Sequence, residues 1–80
     1  MKTSKIAYLV CSNLKGFTNQ ADREYFSKPV EVEVVGVHPT FRYMKTVRDH
    51  ARGGVEFLCD RRDLKSLESL TRKQRELAGL

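Results

Sequence analysis

The chain has 80 residues, of which 31% are charged and 40% hydrophobic, with a formal net charge of +5. A chain this short buries only about 60% of its unfolded surface, so it holds one core and one domain, residues 1–80, with no second catalytic lobe. The balance is that of a folded domain rather than a disordered tail. The longest apolar run, Ile6 to Cys11, is six residues, far below the ~20 that a membrane helix needs. The lysine-flanked N-terminus also lacks the apolar length and small-residue cleavage site of a signal peptide, so a cytoplasmic chain is expected.

Three segments read as strands: "KIAYLVC" at 5–11, "VEVEVVGV" at 30–37 and "VEFLCD" at 55–60. The first is continuously apolar, as a strand covered on both faces should be. The second alternates, with Glu31 and Glu33 turned to water as on an edge strand. Between the first two, Thr18 can cap a short helix over 18–26, with Phe17, Ala21 and Tyr25 on one side and Pro29 ending it.

The second interval is decisive for the fold. In "TFRYMKTVRDHAR", helical spacing gathers Phe41, Met44, Val47 and Ala51 on one side and Arg42, Lys45, Asp49 and Arg52 on the other. Gly53–Gly54 is a fitting stop. The rival is a strand over 41–48 paired with 55–60, which places Lys45 inside and demands a hairpin loop of about seven residues, longer than the usual two to five. The helix is preferred. From Asp63 onward, Leu64, Leu67, Leu70, Leu77 and Leu80 follow one side of a terminal helix, with Asp63 as N-cap and a Thr71–Gln74 capping box where it breaks.

The expected fold is therefore α/β: βαβαβα with a three-stranded parallel sheet in the order 2-1-3, given right-handed crossovers. The alternative is α+β, with an antiparallel hairpin or a small SH3-like barrel at 30–60.

In a parallel sheet of that order, ligands bind beyond the strands' carboxyl ends. That crevice would gather Cys11, Ser12, Asn13, His38, Thr40 and Asp60, and would suit a phosphate or nucleotide ligand or a minimal enzyme. Within it, "LVCSNLKGFT" resembles the cysteine loop of phosphotransferase-system IIB proteins over barely ten residues. The spacing to Gly16 and Thr18 is too long, however, and position 17 is Phe where C-x5-R phosphatases carry Arg. No phosphate loop, dinucleotide fingerprint or C-x-x-C occurs, so no catalytic residue, metal or cofactor is assigned. Cys11 and Cys59 are expected to be free thiols.

Charge carries the main functional signal. Residues 1–40 hold five Lys/Arg against four Asp/Glu, and residues 41–80 hold ten against six. Arg42, Lys45, Arg52, Arg61, Arg62, Lys65, Arg72, Lys73 and Arg75 form a basic C-terminal half suited to nucleic acid or an acidic protein surface. The expectation is a non-enzymatic binding or accessory protein, with the crevice as the alternative. A homodimer through the terminal helix or a sheet edge is a further option.

Overall fold

A computed structural model describes residues 5–80. The strands are β1 (Lys5–Leu9), β2 (Val30–Val37), β3 (Met44–Asp49), β4 (Val55–Asp60) and β5 (Leu64–Lys65), with two short helices, α1 (Gln20–Tyr25) and α2 (Arg72–Leu77). All five strands join one sheet in the order β4-β3-β2-β1-β5, and every neighbouring pair is antiparallel. This overturns the parallel βαβαβα expectation. Strands do occupy 30–37 and 55–60 and most of 5–11, but 41–52 is not a crossover helix.

Its middle, Met44–Asp49, is a strand, paired with β4 from Met44↔Asp60 to Asp49↔Val55. Antiparallel pairing needs only a short reversal, and a 3₁₀ turn at His50–Arg52 with Gly53 and Gly54 supplies it. Both glycines adopt positive φ, 79° and 81°, which a side chain would disfavour. Two objections to the hairpin dissolve in the structure. Because β3 runs to Asp49, the connection is the five residues 50–54, within the ordinary range. Lys45 lies at the end of the inner row and is only half-buried, while Val47 fills the middle at 0% exposure. The antiparallel alternative for 30–60 is thus the closer description, although β1 and β5 extend the sheet beyond that stretch.

The sheet must curl. Laid flat, five strands would separate the edges β4 and β5 by about 19 Å, four spacings of about 4.8 Å. Yet only the 3₁₀ turn Arg61–Asp63 joins them, and such a turn advances about 2 Å per residue. Rolling the sheet brings the edges together and encloses one core, in which Leu9 of β1 and Cys59 of β4 pack with Val30, Val32 and Val47. Phe26, at the end of α1, plugs it, stacked on Phe17 (4.9 Å) and edge-on to Phe57 (5.8 Å). A β-bulge between Val34 and Gly36 adds bend to β2.

β2, expected at an edge, is the central strand. Its glutamates face outward but are engaged: Glu33 pairs with Arg48 (3.6 Å) and His50 (2.8 Å), Arg48 also binds Glu56, and Tyr8 Oη donates to Glu31 (3.3 Å). The alternation that suggested an edge is a cross-strand charge ladder on the convex face.

The termini of the remaining segments also move. Asn19, not Thr18, caps α1 by accepting from Ala21 N–H (2.8 Å). Asp63 caps no helix; Asp60 caps the 3₁₀ turn, and the Thr71–Gln74 capping box opens α2. The leucines therefore do not share a helix: Leu64 lies in β5, Leu70 is buried in a loop, and six-residue α2 holds only Leu77. A leucine-lined helical dimer face does not form. Among the described residues no helix is long and apolar enough to cross a membrane.

Asp49 is fully buried and ties α1 to the hairpin. Its Oδ2 accepts from Tyr25 Oη at 2.7 Å and its Oδ1 from Ala51 N–H at 3.1 Å. Burial, then the hydrogen bond and the charge of Asp49, push the Tyr25 phenol up to about 12, against a smaller lowering by Arg52, which lies over its ring. A raised folded-state value means that the contribution to stability is complete below pH about 10, the ordinary tyrosine value. It is lost as pH rises from there through 12. In urea unfolding across pH 9–12, the wild-type chain should lose stability more steeply above pH 10 than Tyr25→Phe; parallel curves would contradict this assignment.

Candidate nucleic-acid interface

The basic residues of the second half do not form one surface, because partners engage several of them. Arg52 pairs with Asp22 (3.3 Å) and covers the Tyr25 ring at 4.8 Å. Arg62 binds Asp60 (2.9 Å), whose carboxyl is held below its ordinary value chiefly by hydrogen bonds from the Arg62 side chain and backbone. Arg72 reaches Glu76 (3.6 Å) within α2, and Arg75 donates to the Leu67 carbonyl (2.9 Å). Lys73 is exposed on α2 and does not line the concavity described next.

Curling of the sheet brings three of the others together and adds one. Lys45 of β3, Arg61 after β4, Lys65 of β5 and Lys5 of β1 line one concavity of about 190 Å³, whose apolar lining includes Ala7, Val34 and Leu64. It contains no carboxylate, and among the described residues no ion pair engages any of these four side chains. Lys5 does not stand out in the sequence because it lies in the half with little excess charge. The register Lys5↔Val34, with Val34↔Val47 two residues from Lys45, carries it across β2 to the same concave side.

Beside this cluster, the β2–β3 connection exposes aromatic surface. Phe41 is 48% and Tyr43 52% exposed, their rings 5.8 Å apart, and His38 lies 5.2 Å from Phe41. Helical spacing would place both aromatics on an apolar packing face. In the structure they precede β3 and project from the turn, with exposed Arg42 between them. The Arg61 N–H donates to the Tyr43 carbonyl (2.8 Å), which fastens the aromatic turn to the cationic cluster. His38 holds that turn in shape, since its Nδ1 accepts from the N–H groups of Thr40 and Phe41, both at 3.1 Å.

The expected crevice of strand carboxyl ends does not exist, since neighbouring strands run in opposite directions. Its residues are dispersed. His38 and Thr40 belong to the aromatic turn, and Ser12 borders a shallow hollow with Arg62 and Lys65. Cys11, Asn13 and Asp60 instead line a groove of about 570 Å³ along β4. Both thiols are free there. Burial, then Asp63, pushes Cys11 up; burial, then Asp63, Cys11 and Asp60, pushes Cys59 up to about 11. Protonated thiols are poor nucleophiles, which argues against phosphate transfer at Cys11. The described residues contain no cluster of three or more His, Cys, Asp or Glu able to hold a metal.

No protein-family model matches this chain, and comparison with curated proteins and with solved structures finds no match.

Proposed function

We propose that the protein binds single-stranded nucleic acid, with Lys5, Lys45, Arg61 and Lys65 against phosphates and Phe41 and Tyr43 as the platform for bases. One observation carries this reading: four cations with no ion-pair partner among the described residues share one concavity, and the Arg61–Tyr43 main-chain bond joins it to a turn with two exposed aromatic rings. Exposed rings cost solvation and contribute nothing to this core, whereas every base offers a face to stack on them. Arg42, within the aromatic turn, supplies a fifth positive charge.

Fluorescence anisotropy with labelled single-stranded oligonucleotides tests the proposal. Three or four phosphate contacts predict a slope of log K against log salt of about −2 to −3, given roughly −0.7 per contact on single strands. Affinity should therefore fall about 20- to 50-fold between 50 and 200 mM salt. Absent binding, or binding indifferent to salt, would refute it.

A further inference from the structure

β4 is an edge strand, and the groove of about 570 Å³ lies along it. Consecutive residues Phe57, Leu58, Cys59 and Asp60 all line this groove. Successive side chains of a strand point to opposite faces, so a concavity touching all four borders the strand's edge rather than one of its faces.

The edge has unused hydrogen-bonding capacity. Arg61 N–H donates to the Tyr43 carbonyl (2.8 Å) and Gly54 N–H to the Asp49 carbonyl (2.9 Å). The main chain at odd positions of β3 therefore points to β4, and Val55, Phe57 and Cys59 return those bonds. Direction alternates along an antiparallel strand, so the N–H and C=O groups of Glu56 and Leu58 point away from the sheet. Among the described residues no strand pairs with this edge, and Val55 and Leu58 stay 53% and 46% exposed.

The opposite wall of the groove comes from the loop after β1, including Phe17, with Phe26 beside it. Asp22, Asp60 and Asp63 line the groove; Asp22 is paired with Arg52 and Asp60 with Arg62, and among the described residues no ion pair engages Asp63. An apolar floor bordered by the Asp63 carboxylate favours an apolar segment with a positive charge beside it.

We infer that β4 accepts an extended peptide as a sixth strand, through the main chain of Glu56 and Leu58, with an apolar side chain over Phe17 and Phe57 and Lys or Arg beside Asp63. Strand addition obtains affinity from the main chain and specificity from alternate side chains. This surface is distinct from the cationic cluster, and its test is independent of nucleic-acid binding.

Selection of a phage-displayed random octapeptide library on the full chain should enrich apolar residues flanked by Lys or Arg. In the synthetic peptide, N-methylation at alternate residues should weaken binding about tenfold in one parity and leave the other nearly unchanged. Bound peptide should slow amide exchange at Glu56 and Leu58. On the protein side, Leu58→Pro removes an outward N–H without removing a bond to β3, and should abolish binding; the methylated peptides give the same answer on the unaltered chain. No enrichment, enrichment of acidic peptides, methylation effects without parity, or exchange protection elsewhere would overturn the inference. A dimer in sedimentation whose Glu56 and Leu58 amides are already protected from exchange without peptide would overturn it as well.

Discussion

Asp49→Ala should lower folding stability by about 3 kcal/mol, as the sum of a hydrogen bond to a charged group and a lost turn cap. The carboxylate is the junction between α1 and the β3–β4 hairpin, bonded to Tyr25 Oη and Ala51 N–H and wholly shielded from water. Truncation leaves the phenol without its acceptor inside a site that excludes water, which costs more than the bond itself contributes. A domain of this size is stable by only about 4–12 kcal/mol, so the loss is a large share of the total. Urea unfolding should show a lower midpoint with an unchanged m-value. Asp49→Asn keeps one oxygen acceptor and should recover roughly half of the loss. A change below about 0.5 kcal/mol for the alanine variant, the scale of a surface substitution, would mean that the junction contributes nothing.

The second large effect concerns binding, and it separates the two halves of the proposed interface. Phe41→Ala and Tyr43→Ala should each weaken single-stranded oligonucleotide binding by about 1–3 kcal/mol, the range for base–aromatic stacking, with the salt slope unchanged. Lys45→Gln and Arg61→Gln should instead make that slope shallower by about 0.7 each. All four side chains are exposed or half-buried, so circular dichroism should show an unaltered fold. Equal slopes for all four variants would contradict the division into stacking and phosphate contacts. Retained affinity in the double aromatic variant would remove the platform from the proposal.

The helical reading of 41–52 shows why periodicity alone misleads. Phe41, Met44, Val47 and Ala51 sit at helical spacing, but Lys45, Val47 and Asp49 sit at strand spacing in the same stretch, and Asp49 by itself reads as a polar surface residue. Its burial depends on the Tyr25 hydroxyl, 24 residues away, and no local pattern contains that partner. Thr46, Val47 and the nearby aromatics favour a pleated strand once a neighbour exists, and β2 and β4 are the neighbours. The glutamates of β2 mislead for a related reason: alternation marks one polar face, not an edge.

The candidate interface is legible in part. Lys45, Arg61 and Lys65 stand out as basic residues, yet so do Arg52, Arg62, Arg72 and Arg75, whose charges or donors are engaged at distances that only the folded chain sets. Lys5 and the exposed pair Phe41 and Tyr43 escape a reading of the sequence because their grouping depends on strand register.

From the sequence alone come strands at 30–37 and 55–60 with one beginning at Lys5, a short helix ahead of Pro29, a capping box at Thr71 and Gln74, and a basic excess. These are local properties, set by composition, nearest-neighbour hydrogen bonds and short-range alternation. Strand direction, the curl of the sheet and the distinction between engaged and available cations belong to the tertiary structure. Each depends on contacts between residues far apart in the chain, and the three-residue link from β4 to β5 acts on the fold only because β1 is there to receive it.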